Sequence, residues 1–250
     1  MTGPGTSVAS VQEALDRGDH EEVLRLTAPL LAERPGDDAA HELRARALLA
    51  LGRIDEAEQH AADAVRLDPD EIRYRELLAT VLAARGAHRD AATEYGRLAR
   101  NDPRQRDWLL AEAGERLDAA QAGRAAEAAR AAVRLDPADA EAQLTLATTL
   151  ARLGDGAGAM TAAASADRLL PGDLRAAEAL ADAHWLLGED AAAFAGLAEL
   201  AGRLEGRNRD RITAKARALY RQHAGFGGRL LAGVQWVFDA ALRRGWLHLA

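Results

Sequence analysis

The chain has 250 residues, of which 48% are hydrophobic, 28% are charged and only 4% are aromatic, and it contains no cysteine. Without cysteine, disulfides, thiolate nucleophiles and thiolate metal sites are excluded. A core poor in aromatic residues must be built from alanine and leucine, which favours closely packed helices over strands. The net charge of −7 is uneven, because residues 203–250 carry +7 and residues 1–202 carry −14. The chain is therefore an acidic body with a basic tail.

The N-terminal residues MTGPGTSVAS lack the basic and apolar regions of a signal peptide. No run of 18 uncharged apolar residues is present, so no membrane span is expected. Lys215 is the only lysine among 32 basic residues, and this bias, with the alanine excess, is typical of a GC-rich bacterial genome. We expect a bacterial, cytoplasmic protein.

Proline, glycine and alanine recur along the chain with one common period of 34 residues. The prolines are Pro35, Pro69, Pro103, Pro137 and Pro171; the glycines are Gly18, Gly52, Gly86, Gly154 and Gly188; the small residues are Ala57, Ala91, Ala125, Ala159 and Ala193. The tetrapeptide RLDP, at 66–69 and 134–137, is repeated two periods apart.

These three series predict a helix pair in each period. Glycine ends a helix readily because it adopts left-handed φ angles, and proline cannot continue a helix interior. The recurring alanine is predicted to lie where two helices touch. One antiparallel pair is too small to bury its own apolar face, so neighbouring pairs must stack.

The 34-residue helix–turn–helix period with its late proline resembles the tetratricopeptide repeat (TPR) family. The clearest copies are residues 72–105 and 140–173. The resemblance implies an all-α, right-handed α-solenoid of about six TPR units, followed by a C-terminal helical hairpin. The array is expected over 1–207, in units 4–37, 38–71, 72–105, 106–139, 140–173 and 174–207.

The fourth unit departs from this pattern at its turn. Ala120 stands where the other units have glycine, and Gly123 follows three residues later. This shift predicts a longer first helix and a shorter second helix in unit 106–139.

Residues 208–250 do not follow the repeat. A helix is predicted from Asn208 or Asp210 to about His223, then a turn, then an amphipathic helix over 229–249 with Trp236 off its apolar face. This basic, aromatic-rich tail has two open interpretations: a degenerate hairpin that caps the array, or an interaction helix.

The family resemblance implies that the first helix of each unit lines a concave groove that binds peptides or helices of other proteins. The groove positions in this sequence are Glu42, Arg46, Arg73, Glu76, Thr80, Asp107, Thr148, Arg152, Arg175, Glu178, Asp182 and Trp185. The tail contributes Trp236, Arg243, Arg244 and Trp246 as further partner-binding candidates. A receptor for chaperone C-termini is disfavoured, because no repeat contains the lysine that such a clamp uses.

Catalytic chemistry is not indicated. The sequence has no HExxH or GxSxG motif, and its seven histidines include no pair at i, i+4 spacing. We therefore predict no catalytic residue, no cofactor and no metal. Nucleic acid is an improbable partner, because the body is acidic.

The sequence thus predicts a non-enzymatic scaffold or adaptor that binds a partner protein through the groove, the C-terminal helix or both. One alternative is an assembly factor held at the inner face of the membrane by the amphipathic helix, which would bind anionic lipid. Another is a regulatory subunit of a neighbouring enzyme. Homo-oligomerisation through the C-terminal helix is a further option.

Overall fold

The structure, a computed structural model, describes residues 7–224 and the side chains as far as residue 219. Every regular element in this range is an α-helix, and most are 13 or 14 residues long. The helices are α1 Val8–Asp16, α2 His20–Glu33, α3 Asp38–Ala50, α4 Ile54–Leu67, α5 Ile72–Ala84, α6 His88–Asn101, α7 Arg106–Asp118, α8 Ala122–Leu135, α9 Ala140–Leu153, α10 Gly156–Leu169, α11 Leu174–Leu186, α12 Asp190–Arg203 and α13 Gly206–Ala224.

The described part of the chain forms two compact units, divided after Gln121 and named here unit 1 and unit 2. Within each unit, helices that are consecutive in sequence pack against each other. The first helices of neighbouring repeats also touch: α1 contacts α3, α3 contacts α5, and α9 contacts α11. The all-α repeat fold predicted from the sequence is confirmed.

The glycines of the turns adopt the backbone conformation that the sequence predicted. Gly52 and Gly86 have φ angles of +73° and +79°, in the left-handed region, and the φ angles of Gly18, Gly154 and Gly188 lie in the same region. At Gly52 the following amide, that of Arg53, donates to Leu48 O at 2.9 Å, which satisfies a carbonyl at the helix end.

The fourth repeat corrects one prediction. Helices α7 and α8 are 13 and 14 residues long, like their neighbours, so the first helix is not longer and the second is not shorter. Ala120 itself adopts the left-handed conformation, with a φ of +59°. The repeat packing therefore fixes the turn geometry even where a Cβ atom opposes it.

Substitution of Ala120 by glycine should stabilise the protein. The left-handed conformation costs a residue with Cβ roughly 1–2 kcal/mol, while glycine adds entropy to the unfolded chain. We expect a net gain of roughly 0.5–1 kcal/mol in the free energy of unfolding, measured by urea denaturation. The reverse change, Gly86→Ala, should destabilise by a similar amount. Equal stability of Ala120→Gly and wild type would contradict this account of the turn.

The recurring alanine is buried in all five repeats that contain it. Ala57, Ala91, Ala125, Ala159 and Ala193 are all 0% exposed. Ala159, for example, packs with Ala126, Leu150 and Ala183, which come from three other helices of unit 2. A larger side chain at this position would force the helices apart.

Replacing Ala159 by leucine should destabilise the protein by roughly 1–3 kcal/mol, because three extra carbons must enter a filled helix contact. Urea denaturation measures the change. Ala157→Leu is the matched control, since Ala157 lies on the exposed side of the same helix and the leucine there should cost little. A leucine tolerated equally at both positions would contradict the assigned register.

The repeated Asp-Pro pair is explained by the loops between repeats. In each loop the Asp amide donates to the last turn of the helix, as Asp68 N does to Ala64 O at 3.0 Å. The Asp carboxylate then accepts from the amide two residues on: Asp68 Oδ1 from Asp70 N at 3.2 Å, and Asp136 Oδ1 from Ala138 N at 2.8 Å. Each pair thus closes one helix and begins the turn.

The carbonyl of the loop proline is held by the next first helix. His41 Nε2 lies 3.1 Å from Pro35 O, and the residues 34 and 102 positions later make the same contact. They are Arg75 Nη2 to Pro69 O at 3.1 Å and Gln143 Nε2 to Pro137 O at 3.0 Å. The same position of three repeats therefore contacts the proline carbonyl of the preceding loop, with a different side chain in each repeat.

Helix α13 begins at Gly206, two residues before the Asn208 cap that the sequence suggested. Ile212 and Ala216 are buried and Leu219 is half-buried, so the predicted apolar face is confirmed as far as the side chains are described. This face packs on Ala181 of α11 and Leu197 of α12. The predicted helix over 229–249 lies outside the described residues.

Candidate partner-binding surface

The first helices of unit 1 present a row of polar and aromatic side chains. We call the exposed or half-buried residues Arg46, Arg73, Glu76, Thr80, Asp107 and Trp108 the unit 1 surface. They lie on α3, α5 and α7, each of which begins one repeat of 34 residues.

Contacts between neighbouring first helices hold this surface in place. The Tyr74 hydroxyl on α5 donates to Asp38 Oδ2 on α3 at 3.0 Å, and Arg73 stacks over the Tyr74 ring at 5.0 Å. Burial, and then the hydrogen bond to Asp38, raise the pKa of Tyr74 to about 12. On the next pair of helices, Trp108 Nε1 donates to Glu76 Oε1 at 3.2 Å.

Thr80 is fixed from within its own repeat. Its hydroxyl donates to Glu76 O at 2.9 Å and lies 3.2 Å from the Tyr95 hydroxyl on α6. Burial raises the pKa of Tyr95, so the phenol stays neutral. Asp107 remains exposed and pairs with its neighbour Arg106 at 2.6 Å.

Glu42 lies below this surface rather than on it. Its carboxylate is only 3% exposed, and Arg46 Nε covers it at 2.7 Å without the alignment of a hydrogen bond. Burial raises the pKa of Glu42, although Arg46 and Arg73 oppose the shift. A partner would therefore contact Arg46, not the Glu42 carboxylate that the sequence suggested.

The corresponding residues of unit 2 are largely paired with one another. Arg175 on α11 donates to Glu141 on α9 at 2.8 Å and also pairs with Asp173 at 3.3 Å. Thr148 and Arg152 are exposed on α9. Trp185 on α11 packs edge-to-face on Phe194 of α12, with ring centroids 6.3 Å apart.

Helix α13 neutralises the remaining acidic positions of α11. Lys215 Nζ lies 3.0 Å from Glu178 Oε1 and 2.6 Å from Asp182 Oδ1, and Arg211 Nη1 lies 2.8 Å from Glu178 Oε2. Burial opposes ionisation of Glu178, but Lys215 and Arg211 outweigh it and lower the pKa of its carboxyl. The remaining candidates, Trp236, Arg243, Arg244 and Trp246, lie outside the described residues.

Comparison with known proteins identifies this architecture. Residues 14–81 match the family model described as tetratricopeptide repeat. A tetratricopeptide repeat protein from Parabacteroides merdae superimposes with a TM-score of 0.68 at 15% identity, over 94% of this chain and 97% of that chain. Residues 14–81 therefore match tetratricopeptide repeats (TPR), and the chain has the fold of TPR proteins.

Two other solved structures are similar to this chain. MamA from Desulfovibrio magneticus RS-1, residues 41 to the end, gives a TM-score of 0.59 at 20% identity, over 68% of this chain and 96% of that chain. YrrB, described as a TPR protein with an unusual peptide-binding site, gives 0.55 at 17% identity, over 79% and 94%. At these identities the likeness is one of fold. No curated protein matches the sequence.

Two features of the repeats were missed by sequence reasoning. Trp108 belongs to the unit 1 surface. It lies 34 residues after Tyr74, and this repeat of an aromatic residue in the first helix could have drawn attention to it. His41, His60 and Asp63 also come together: His60 and Asp63 are i, i+3 neighbours on α4, and His41 joins them from α3. None of the helices within residues 7–224 combines the length and apolar character needed to cross a bilayer.

Replacing Lys215 by methionine should loosen α13, because the apolar stem remains but Asp182 loses its cation and Glu178 keeps only Arg211. We expect opening of α13 to become easier by roughly 0.5–1 kcal/mol, so that its amides exchange a few-fold faster at pH 7. Hydrogen-exchange mass spectrometry of residues 206–219 measures this.

The effect of Lys215→Met should depend on pH in one direction. The pKa of folded Glu178 is below its ordinary value of 4.5, so this pairing stabilises fully above pH 4.5 and is lost as the pH falls below it. Lys215→Arg keeps the charge and is the control. Exchange at pH 7 that is the same in wild type and Lys215→Met would contradict the assigned pairing.

Proposed function

We propose that this protein is a non-enzymatic scaffold or adaptor that binds a segment of a partner protein across the unit 1 surface. The observation that carries the proposal is the exposure of Arg73, Glu76 and Thr80 along one helix, beside Trp108 of the next repeat. These exposed side chains do not belong to the main core cluster of unit 1, which is made of aliphatic residues.

Side chains of the unit 1 surface are preorganised by contacts within the protein. Arg73 is positioned by the Tyr74 ring and by Glu71 at 3.6 Å, and Glu76 is oriented by the Trp108 indole. Fixed side chains lose little conformational entropy on binding, so more of the contact energy appears as affinity. Aromatic and arginine side chains are also the types that dominate protein interfaces.

Unit 2 is the weaker candidate because most of its candidate charges form ion pairs between different helices. Glu178 and Asp182 are paired with α13, and Arg175 is paired with Glu141. A partner would have to break these pairs before it gained contacts of its own. The unit 1 surface instead offers Arg46 and Arg73 beside Glu76 and Asp107, so it suits a segment that carries both signs of charge.

The comparisons support a binding role at the level of the fold, because the similar protein YrrB is described as having a peptide-binding site. A regulatory subunit would use the same kind of surface, with an enzyme as its partner. Membrane association depends on residues 229–249, which lie outside the described residues, and it stays a prediction.

A matched pair of triple variants tests the proposal. Arg73→Ala/Glu76→Ala/Thr80→Ala removes three exposed side chains from α5, and Arg89→Ala/Asp90→Ala/Thr93→Ala removes the same three kinds of side chain from α6. Partner proteins should co-purify with tagged wild type and with the α6 variant. Their recovery with the α5 variant should fall at least about tenfold, as expected from the loss of interface contacts.

Equal melting temperatures of both variants and wild type confirm that folding is unchanged. Recovery of the same partners with the α5 variant as with wild type would exclude the unit 1 surface. Loss of the partners with both variants would contradict binding through one face of the repeat.

A further inference from the structure

Three potential metal ligands meet between the two helices of the second repeat. His41 Nδ1 on α3 lies 2.9 Å from His60 Nδ1 on α4 and 3.9 Å from Asp63 Oδ2 on the next turn of α4. One ligand atom from each residue falls within 4.8 Å of the other two. His41 is buried, whereas His60 and Asp63 are half-buried or partly exposed, so the cluster can be reached from solvent.

The hydrogen bonds around the two imidazoles define where their protons are. Arg44 Nε can only donate, and it lies 3.1 Å from His60 Nε2, so that nitrogen carries the lone pair. His60 Nδ1 then carries the proton of the neutral ring and donates it to His41 Nδ1. His41 Nε2 is left to donate to Pro35 O at 3.1 Å.

The result is a pair of neutral imidazoles with both Nδ1 atoms directed at one shared proton. Burial, followed by the charges of Arg44 and His41, lowers the pKa of His60 to about 4, in agreement with a neutral ring. A divalent cation can take the place of that proton, because each Nδ1 would then supply a lone pair to the same point.

We propose that His41 Nδ1, His60 Nδ1 and the Asp63 carboxylate form a binding site for a divalent metal ion of the zinc class. Two imidazole nitrogens and one carboxylate oxygen form a donor set that suits Zn²⁺, which is commonly held by three protein ligands and a water molecule. Ca²⁺ and Mg²⁺ prefer sites made of oxygen atoms. The proposal departs from the expectation of no metal and is independent of the proposed partner surface.

The surroundings of His41 already have the form of a metal site. A metal-bound histidine usually donates its other ring N–H to a carbonyl or carboxylate, which fixes the ring and strengthens the ligand. His41 makes this bond to Pro35 O in the absence of any ion. Gln143 and Arg75 contact the equivalent carbonyls, so the loop positions this acceptor independently of the metal.

In the third repeat the equivalent three positions join the two helices through an ion-pair network. The residues 34 positions after His41, His60 and Asp63 are Arg75, Glu94 and Arg97. Arg75 Nη1 and Arg97 Nη1 lie 2.8 and 2.5 Å from the two oxygens of Glu94, which joins α5 to α6. In the second repeat a metal ion would join α3 to α4 in place of this ion-pair network.

Arg44 limits the affinity of the proposed site. When His60 Nδ1 binds a metal, its proton must move to Nε2, which then faces the Arg44 Nε–H. Arg44 must withdraw from His60 while its Nη1 keeps its bonds to Leu24 O at 2.8 Å and Thr27 Oγ1 at 2.9 Å. Replacing Arg44 by glutamine supplies a carbonyl acceptor for the Nε2 proton, so affinity should rise about tenfold or more.

Titration of the full-length protein with Co²⁺ and Zn²⁺ tests the site. We expect one equivalent of Co²⁺ to give the visible absorption of a four-coordinate ion, and Zn²⁺ to displace it. His60→Gln should abolish this signal, Asp63→Asn should weaken the affinity, and Arg44→Gln should strengthen it. His88→Gln is the control, because His88 pairs with Glu115 in another repeat and should not affect binding.

Circular dichroism shows whether each variant is folded. If His60→Gln does not fold, Asp63→Asn tests the site in its place, because Asp63 is partly exposed. The absence of a saturable Co²⁺ signal in wild type would overturn the proposal. A signal unchanged in His60→Gln or Asp63→Asn would also overturn it, as would an affinity in Arg44→Gln no greater than that of wild type.

Discussion

The close approach of two helices over a single alanine is the contact on which the structure of each repeat depends. Ala57, Ala91 and Ala159 are fully buried at equivalent positions, each in a second helix that follows a left-handed turn. The turn reverses the chain, and the alanine lets the second helix pack back on the first. Because both requirements are local, each repeat can vary its other side chains, and these distinguish one surface of this protein from another.

The two units use this freedom differently. In unit 2 the acidic side chains of α11 stabilise α13 through Lys215 and Arg211, so charge there serves the structure. In unit 1 the equivalent first-helix residues, Arg73 and Glu76, contact Tyr74 and Trp108 and remain exposed. The contact between the two helices of a repeat also varies. The second repeat has two neutral histidines where the third repeat has an arginine–glutamate network.

The sequence was sufficient to predict the fold because glycine, proline and alanine each report a local backbone or steric requirement. It predicted the wrong helix lengths around Ala120, because alanine rarely adopts a positive φ and the packing that enforces it is not local. The register carried over from the family resemblance placed Glu42 in an exposed groove, whereas Arg46 covers its carboxylate. His41 and His60 escaped notice because the i, i+4 criterion searches along one helix, and these residues meet across two.

The central claim, that partners bind across the first helices of unit 1, is tested most directly by site-specific photocrosslinking. A photoreactive amino acid would replace Thr80 on α5 in one protein and Thr93 on α6 in another, since both residues are exposed in the same repeat. A partner crosslinked from position 80 and not from position 93 is the result that the structure predicts. Crosslinking of the partner from position 93 alone would place the binding surface on the second helices and contradict the account.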